Sequence, residues 1–441
     1  MKRFFGTDGI RGKYNGAFLN DQFACKVGQA AGSYLLDKRG ELGKVLLARD
    51  TRSSGETLLK SCAHGIQSMG ATCYNAGIIP SPALAFGVKH LGAQLGIMIT
   101  ASHNPHTDNG IKFFSGDGTK ISTHDEEIIE NLLIQQGEEN ELPKQVLSQV
   151  KVTEAYAEKI ISAFPPHFLK GLKIGIDYAN GATISTSSIV LKALGAKLIA
   201  LNQGDGLINQ NCGSEYPQAL QAKVLELGLD LGIAHDGDGD RMVLIDHKGR
   251  LIDGDQILGL LAIHAKSARK LRGGALVTTV HSNSGLDASL KQHTIASHRS
   301  SVGDRNVYRL MLETGCNLGG ESSGHIIFSD YLPTGDGLYS ALMALEASIS
   351  CGEQMALLAQ QIELWPCLCA SFPVKSKPPL NSIENLSEVV DAEKKLLGNN
   401  GRILLRYSGT EPKIRLLVEG RSENLIQTSF DRIAQAIQIA L

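Results

Sequence analysis

The 441-residue sequence lacks an excess of either charge: 43 lysines and arginines stand against 45 aspartates and glutamates, a formal net charge of −2. Proteins that bind nucleic acid or a membrane surface through a broad basic face carry a positive excess, so only a local basic pocket remains open. Long hydrophobic runs are missing as well. A membrane-spanning helix needs about 18 or more apolar residues in a row, and the longest stretches here, such as 257–263, are core-sized. The eight cysteines include no C-x-x-C pair, which predicts reduced core thiols and neither a disulfide framework nor a zinc site. No G-x-x-x-x-G-K-[ST] occurs, and no G-x-G-x-x-G follows a strand, which excludes an ordinary P-loop nucleotide hydrolase and the dinucleotide-binding fingerprint. The segment Met1-Lys2-Arg3-Phe4-Phe5-Gly6-Thr7-Asp8 meets a turn and a carboxylate before any apolar run. It does not read as a signal peptide, and a cytoplasmic chain is expected.

What is present is a recurring order of apolar strand, Gly/Ser/Asp turn and amphipathic helix. Val45–Asp50 runs into Thr51–Gly55 and a helical stretch; Ile174–Asp177 and Leu276–Val280 open similar units. Near-continuous apolar strands alternating with helices predict α/β units with both sheet faces covered. At roughly 150 residues per domain the length allows about three. Composition places breaks at the acidic stretch Gly137–Pro143, near Asp253-Gly254, and near Trp365-Pro366, where further prolines in 371–380 suggest a hinge. The tail changes to helix, strand, turn, strand and a closing helix in which Ile426, Phe430, Ile433 and Ile437 share one face. The expected architecture is three similar α/β domains with mixed sheets plus a smaller α+β domain: 1–150, 151–252, 253–366 and 367–441.

Five segments carry chemistry. In Asp236-Gly237-Asp238-Gly239-Asp240-Arg241, three carboxylates alternate with glycines, and they can converge only if a cation neutralises them. An EF-hand needs Gly sixth and Glu twelfth; Arg241 and His247 occupy those positions, so calcium-sensor chemistry fails and magnesium is the better fit. Thr100-Ala101-Ser102-His103-Asn104-Pro105 follows the strand 95–99 and sets a hydroxyl at its carboxyl end, where α/β proteins bind ligands. Adjacent residues on extended chain point apart, which argues against a Ser102–His103 dyad. Asn109-Gly110-Ile111-Lys112 adds a lysine able to move a proton if its pKa is lowered.

Gly320-Glu321-Ser322-Ser323-Gly324-His325 matches G-x-S-x-G, but a nucleophile elbow requires a helix next, and 326–328 reads as strand. On extended chain Glu321, Ser323 and His325 would face one side, a trio suited to sugar hydroxyls. Arg406-Tyr407-Ser408-Gly409-Thr410-Glu411-Pro412-Lys413-Ile414-Arg415 is a basic, hydroxyl-rich turn of the kind that binds phosphate without a Walker lysine. Gly6–Gly12 has the same character and supplies Arg11.

In this order, with Phe5–Gly12 and Val302-Gly303-Asp304-Arg305, the segments resemble the α-D-phosphohexomutase superfamily along the whole chain. They are closer to its branch acting on glucosamine phosphates than to those acting on mannose or glucose phosphates. Ser322 and His281 depart from the pattern. The resemblance implies four domains around a central cleft and interconversion of glucosamine 6-phosphate and glucosamine 1-phosphate through a 1,6-bisphosphate, on the route to UDP-N-acetylglucosamine and cell-wall precursors. Carried over, it makes 1–150 the phosphoserine domain, 151–252 the metal-binding domain, 253–366 the sugar-binding domain and 367–441 the phosphate-binding domain. Ser102 becomes the phosphorylated carrier, and Asp236, Asp238 and Asp240 hold Mg²⁺, one per subunit, with an oxygen of that phosphate. Arg11 and Arg241 neutralise the phosphoryl group, and Lys112 and His325 are proton-transfer candidates. Glu321 and Ser323 hold sugar hydroxyls; Arg406, Ser408, Gly409, Thr410 and Arg415 grip the non-reacting phosphate. A hexosamine or hexose 1,6-bisphosphate as priming donor, activation by a kinase or by autophosphorylation, and a homodimer belong to the same expectation. A phosphatase that admits water to the phosphoserine, and a non-catalytic sugar-phosphate sensor, are the rival readings.

Overall fold

Strand 95–99 is buried at every residue, and it sits inside the first of four sheets because its neighbours cover both edges. A computed structural model describes residues 4–39, 43–135, 147–408 and 412–440; the predicted linker Gly137–Pro143 lies outside them. The chain divides into two compact units, Met1–Val280 with Ser297–Ala359, and His281–Ala296 with Gln360–Leu441. Among the described residues no helix is long and apolar enough to cross a membrane.

In the first unit, the strands Lys44–Arg49, Thr72–Ile78 and Leu95–Ile99 run parallel. The chain then reverses through 100–107 and returns as the antiparallel strand Asp108–Ser115, which pairs with Ile10–Lys13. That reversal places residues 100–105 at the carboxyl end of the sheet. A second, five-stranded sheet contains the antiparallel hairpin Leu231–His235 and Met242–Asp246, so the three aspartates at 236, 238 and 240 form its connecting loop. A four-stranded sheet holds Leu318–Gly320 against Ile326–Phe328. Strand rather than helix after the Gly320–His325 turn excludes the nucleophile elbow.

The second unit is built on a three-stranded antiparallel sheet, Cys367–Pro373, Lys413–Gly420 and Gly401–Tyr407, with the eight-residue strand in the middle. The start of the proline-rich stretch expected to be a hinge is thus an edge strand, which Pro373 ends. Ile426, Ile433 and Ile437 of the closing helix are buried in its core with Leu386, Ile403 and Val418, and Phe430 packs against them, the one-face pattern read from sequence.

Helices Asp21–Arg39 and Gly55–Ser68 cross at backbone contact. A Cβ on Gly28 would lie 2.0 Å from the Cys62 carbonyl oxygen, and one on Gly65 2.0 Å from that of Cys25. Neither obstacle is a flexible side-chain end, so a methyl group forces the helices apart. Gly28→Ala and Gly65→Ala are each expected to destabilise the protein by about 1–3 kcal/mol, read as a lowered denaturant midpoint; an unchanged midpoint would show that the crossing is looser than described.

Candidate active site

Ser102 does not lie on extended chain. Its φ is 51°, a left-handed conformation uncommon for a non-glycine residue, and the side chain is buried. Its Oγ donates to Asp236 Oδ2 at 2.7 Å and lies 3.3 Å from His103 Nδ1. The expectation that residues 102 and 103 point apart therefore fails, because it assumed extended backbone. Burial, then the Arg241 and Arg11 charges, push the His103 pKa down to about 3, so this ring is neutral at neutral pH.

The loop is fixed from below by a residue that no motif singled out. Arg52 is fully buried, pairs with Asp50 at 2.9 Å, and donates to the carbonyls of Ser102, Asn104, Pro105 and Asp108. Asp50 Oδ2 also accepts from Thr100 Oγ1, which in turn accepts the Ser102 backbone N–H. Asn209 donates to the Ser102 carbonyl at 2.6 Å.

The glycines of the acidic loop are there because other chain segments press on it. A Cβ on Gly237 would lie 2.8 Å from the Ser102 carbonyl oxygen; on Gly239, which has φ +72°, it would lie 2.3 Å from Thr183 Cγ2. Asp236, Asp238 and Asp240 are buried, and one ligand oxygen from each lies within 4.8 Å of the others. Among the described residues, Oδ1 of Asp238 and Oδ1 of Asp240 accept no hydrogen bond. Burial pushes the Asp236 pKa well up, and the charges of Asp238 and Asp240 push the same way. Converging all-oxygen donors with open lone pairs fit a hard divalent cation.

Lys112 is buried and reaches Asp238 at 2.7 Å, Asp8 at 3.1 Å and Asp240 at 3.2 Å. Burial alone lowers its pKa, but the three carboxylates outweigh that and hold it well above the ordinary value. The lowered pKa entertained for it from sequence is corrected: this lysine is a charged partner of the acidic loop. Arg11 donates to the Ala101 carbonyl and to Asn104, and pairs with Asp8. Lys120 bridges Asp8 and Asp304. The Arg241 backbone N–H donates to Asp236 Oδ1, and its side chain lies 3.9 Å from Asp240 and 3.8 Å from Glu215.

Gly320–His325 is a tight turn, closed by the Gly324 N–H to the Glu321 carbonyl at 3.0 Å, so the alternation expected on extended chain does not hold. Glu321 accepts the Gly303 N–H at 2.9 Å, Ser323 Oγ has no hydrogen-bond partner among the described residues, and His325 is buried between Asp240 and Asp304. The Gly335 N–H donates to His325 Nε2, leaving Nδ1 toward Asp240. Thus Ser102, the three aspartates, Lys112, Arg11, Arg241 and His325 come together, with Glu321 beside Gly303.

In the second unit Arg406 and Arg415 pair directly across neighbouring strands. With His281, Cys369 and Ser371 they line a cavity of about 400 Å³. Like charges opposite each other in a sheet repel, a cost that a bound anion removes. Arg406 donates through Nε at 3.1 Å and Nη2 at 2.8 Å to His281 Nε2. Burial and the nearby arginines push His281 down to about 4, so it remains a neutral acceptor. The Ser408 carbonyl accepts from Lys377; Gly409 and Thr410 lie outside the described residues.

Domains of this kind in this order define the phosphohexomutases, a class of isomerases. The phosphoglucomutase/phosphomannomutase models for alpha/beta/alpha domains I, II and III match residues 2–140, 154–249 and 253–364, and the C-terminal domain matches 371–436. The chain belongs to the phosphoglucomutase/phosphomannomutase family. It is 42% identical over 428 residues to a phosphoglucosamine mutase of Nautilia profundicola (96% of each chain) and 40% identical over 445 residues to one of Desulforamulus reducens (99% of each). A crystal structure of a phosphoglucomutase/phosphomannomutase family protein from Burkholderia thailandensis matches at TM-score 0.82 with 25% identity, covering 100% of this chain and 98% of that one.

Removing one partner of a buried ion pair strands the other. Arg52→Met should cost about 3–5 kcal/mol in unfolding free energy, and adding Asp50→Asn should recover part of the loss. A loss below ~1 kcal/mol in the single variant would remove Arg52 as the support of the Ser102 loop.

Proposed function

We propose that this chain interconverts glucosamine 6-phosphate and glucosamine 1-phosphate through a phosphoserine at position 102, on the route to UDP-N-acetylglucosamine. The observation that carries the reading is the buried Ser102 Oγ, 2.7 Å from Asp236, in a carboxylate triad that still has open oxygens. The similar phosphoglucosamine mutases supply the substrate class. Asp236, Asp238 and Asp240, with an oxygen of the phosphoserine, would hold Mg²⁺, which supplies positive charge to the transferring phosphoryl oxygens.

The Ser102 Oγ–P bond breaks as the sugar hydroxyl oxygen bonds to phosphorus. The proton that the hydroxyl loses replaces the one that the departing Ser102 Oγ takes from its acid, and a 1,6-bisphosphate results. The bisphosphate turns over, and its other phosphoryl group returns to Ser102 Oγ. Arg11 and Arg241 neutralise charge on the group in transfer. Lys112 begins charged, so we assign it as the acid that protonates Ser102 Oγ when that oxygen leaves; His325, turned toward Asp240, is the second proton-transfer candidate. Glu321 and Ser323 hold sugar hydroxyls, and Arg406, Ser408, Gly409, Thr410 and Arg415 hold the phosphate that is not reacting. Burial of Ser102 keeps water from the phosphoserine, which separates a mutase from a phosphatase.

Coupled turnover with glucosamine, glucose and mannose phosphates, with and without Mg²⁺, tests this. Isomerisation fastest on the glucosamine ester, metal-dependent and nearly free of inorganic phosphate, is expected; steady phosphate release without isomerisation would overturn it. Ser102→Ala should abolish turnover while keeping the unfolding midpoint. Arg415→Ala removes a charge-assisted phosphate contact worth about 1.5–3 kcal/mol, so KM should rise roughly ten- to hundredfold with kcat less affected. His281→Leu leaves Arg406 unheld and should shift KM the same way by a smaller factor; an unchanged KM in both variants would remove this phosphate site.

A further inference from the structure

Five of the eight cysteines, Cys25, Cys62, Cys73, Cys212 and Cys316, are buried, as expected of core thiols, but Cys351, Cys367 and Cys369 are exposed. Cys367 and Cys369 stand two apart on an edge strand whose residues alternate between exposed and half-buried. Both side chains therefore project from one face of the sheet, and their Sγ atoms are 3.6 Å apart. We propose that this pair is a two-thiolate site for a thiophilic divalent cation of the Zn²⁺ or Cd²⁺ type.

The spacing decides in favour of an ion. Zinc–thiolate bonds of about 2.3 Å at the tetrahedral angle put two sulfurs roughly 3.8 Å apart, so the thiols need to move by only a few tenths of an ångström. A disulfide needs sulfurs about 2.05 Å apart and Cα atoms within roughly 6.8 Å. Residues i and i+2 of a strand lie about 6.8 Å apart, at the top of that range, and the sulfurs, now 3.6 Å apart, would have to close by about 1.5 Å. Each thiol loses its proton as its sulfur–metal bond forms, two protons per ion. The cross-strand partner of Cys367 is Glu419, and its carboxylate is engaged by Ser284 and Arg402. Two sulfurs are thus the ligands the strand supplies, and water completes the shell.

Cys369 borders the cavity lined by Arg406 and Arg415. Its neighbour on the same face, Ser371, pairs directly with Arg415. A bound ion would stand one side-chain row from the arginines and hinder phosphate entry. That consequence, unlike the site itself, rests on the phosphate role assigned to them above.

Titration of the full-length protein with Cd²⁺ separates the two claims, because the thiolate-to-cadmium charge-transfer band in the ultraviolet reports sulfur ligation and is silent to the aspartate loop. We expect one such ion per chain. The band should be lost in Cys367→Ser and in Cys369→Ser and kept in Cys351→Ser, with all three variants retaining the wild-type unfolding midpoint. No band in the wild type, or a band that survives both serine variants, would overturn the site. For the consequence, Cd²⁺ should raise the sugar-phosphate KM severalfold more in the wild type than in Cys369→Ser; equal KM shifts would overturn the link to phosphate and leave the site standing.

Discussion

Three carboxylates that cannot face water must be balanced, and the arrangement of the first unit follows from how that is done. Asp236, Asp238 and Asp240 are all buried, and burying unpaired charge costs several kcal/mol per ion. Lys112 answers two of them, and the Arg241 backbone N–H and the Ser102 hydroxyl answer the third. These partners come from two sheets, so charge balance ties the hairpin loop to the serine loop. What the partners leave open, one oxygen each on Asp238 and Asp240, could receive a hard divalent cation.

The serine loop meets a second constraint, backbone strain. Ser102 sits at φ 51°, a conformation that persists only where the surroundings over-determine it. Arg52 supplies that determination by gathering four carbonyls of 102–108 with one guanidinium, a task that the single-point charge of lysine performs poorly. This turn brings the Ser102 hydroxyl to the distant Asp236 carboxylate and sets it beside the imidazole of its neighbour His103.

The acidic loop, the serine loop and the paired arginines were legible in the sequence, because each concentrates its chemistry within about ten residues. The α/β units and the face of the closing helix were legible too, since periodicity is local. What stayed hidden depends on distant partners. Arg52 read as an ordinary turn residue because the carbonyls it holds lie some fifty positions on. The proton affinity of Lys112 is set by Asp8, Asp238 and Asp240 together, and no window holds them all. The turn at 321–324 was read as extended because Gly324, with φ +84° and the Met242 carbonyl 1.9 Å from where its Cβ would be, acquires its meaning from another sheet. His281 was visible only as a departure from a pattern; its reason is Arg406, reached through folding.

The central claim is that the Ser102 oxygen carries the migrating phosphoryl group. Intact-protein mass spectrometry with peptide mapping, on active protein before and after mixing with a stoichiometric amount of sugar monophosphate, tests it most directly. One phosphoryl group on the peptide containing Ser102, discharged on mixing as bisphosphate appears, is the predicted result. Fully active protein in which that peptide never carries the added mass would contradict it.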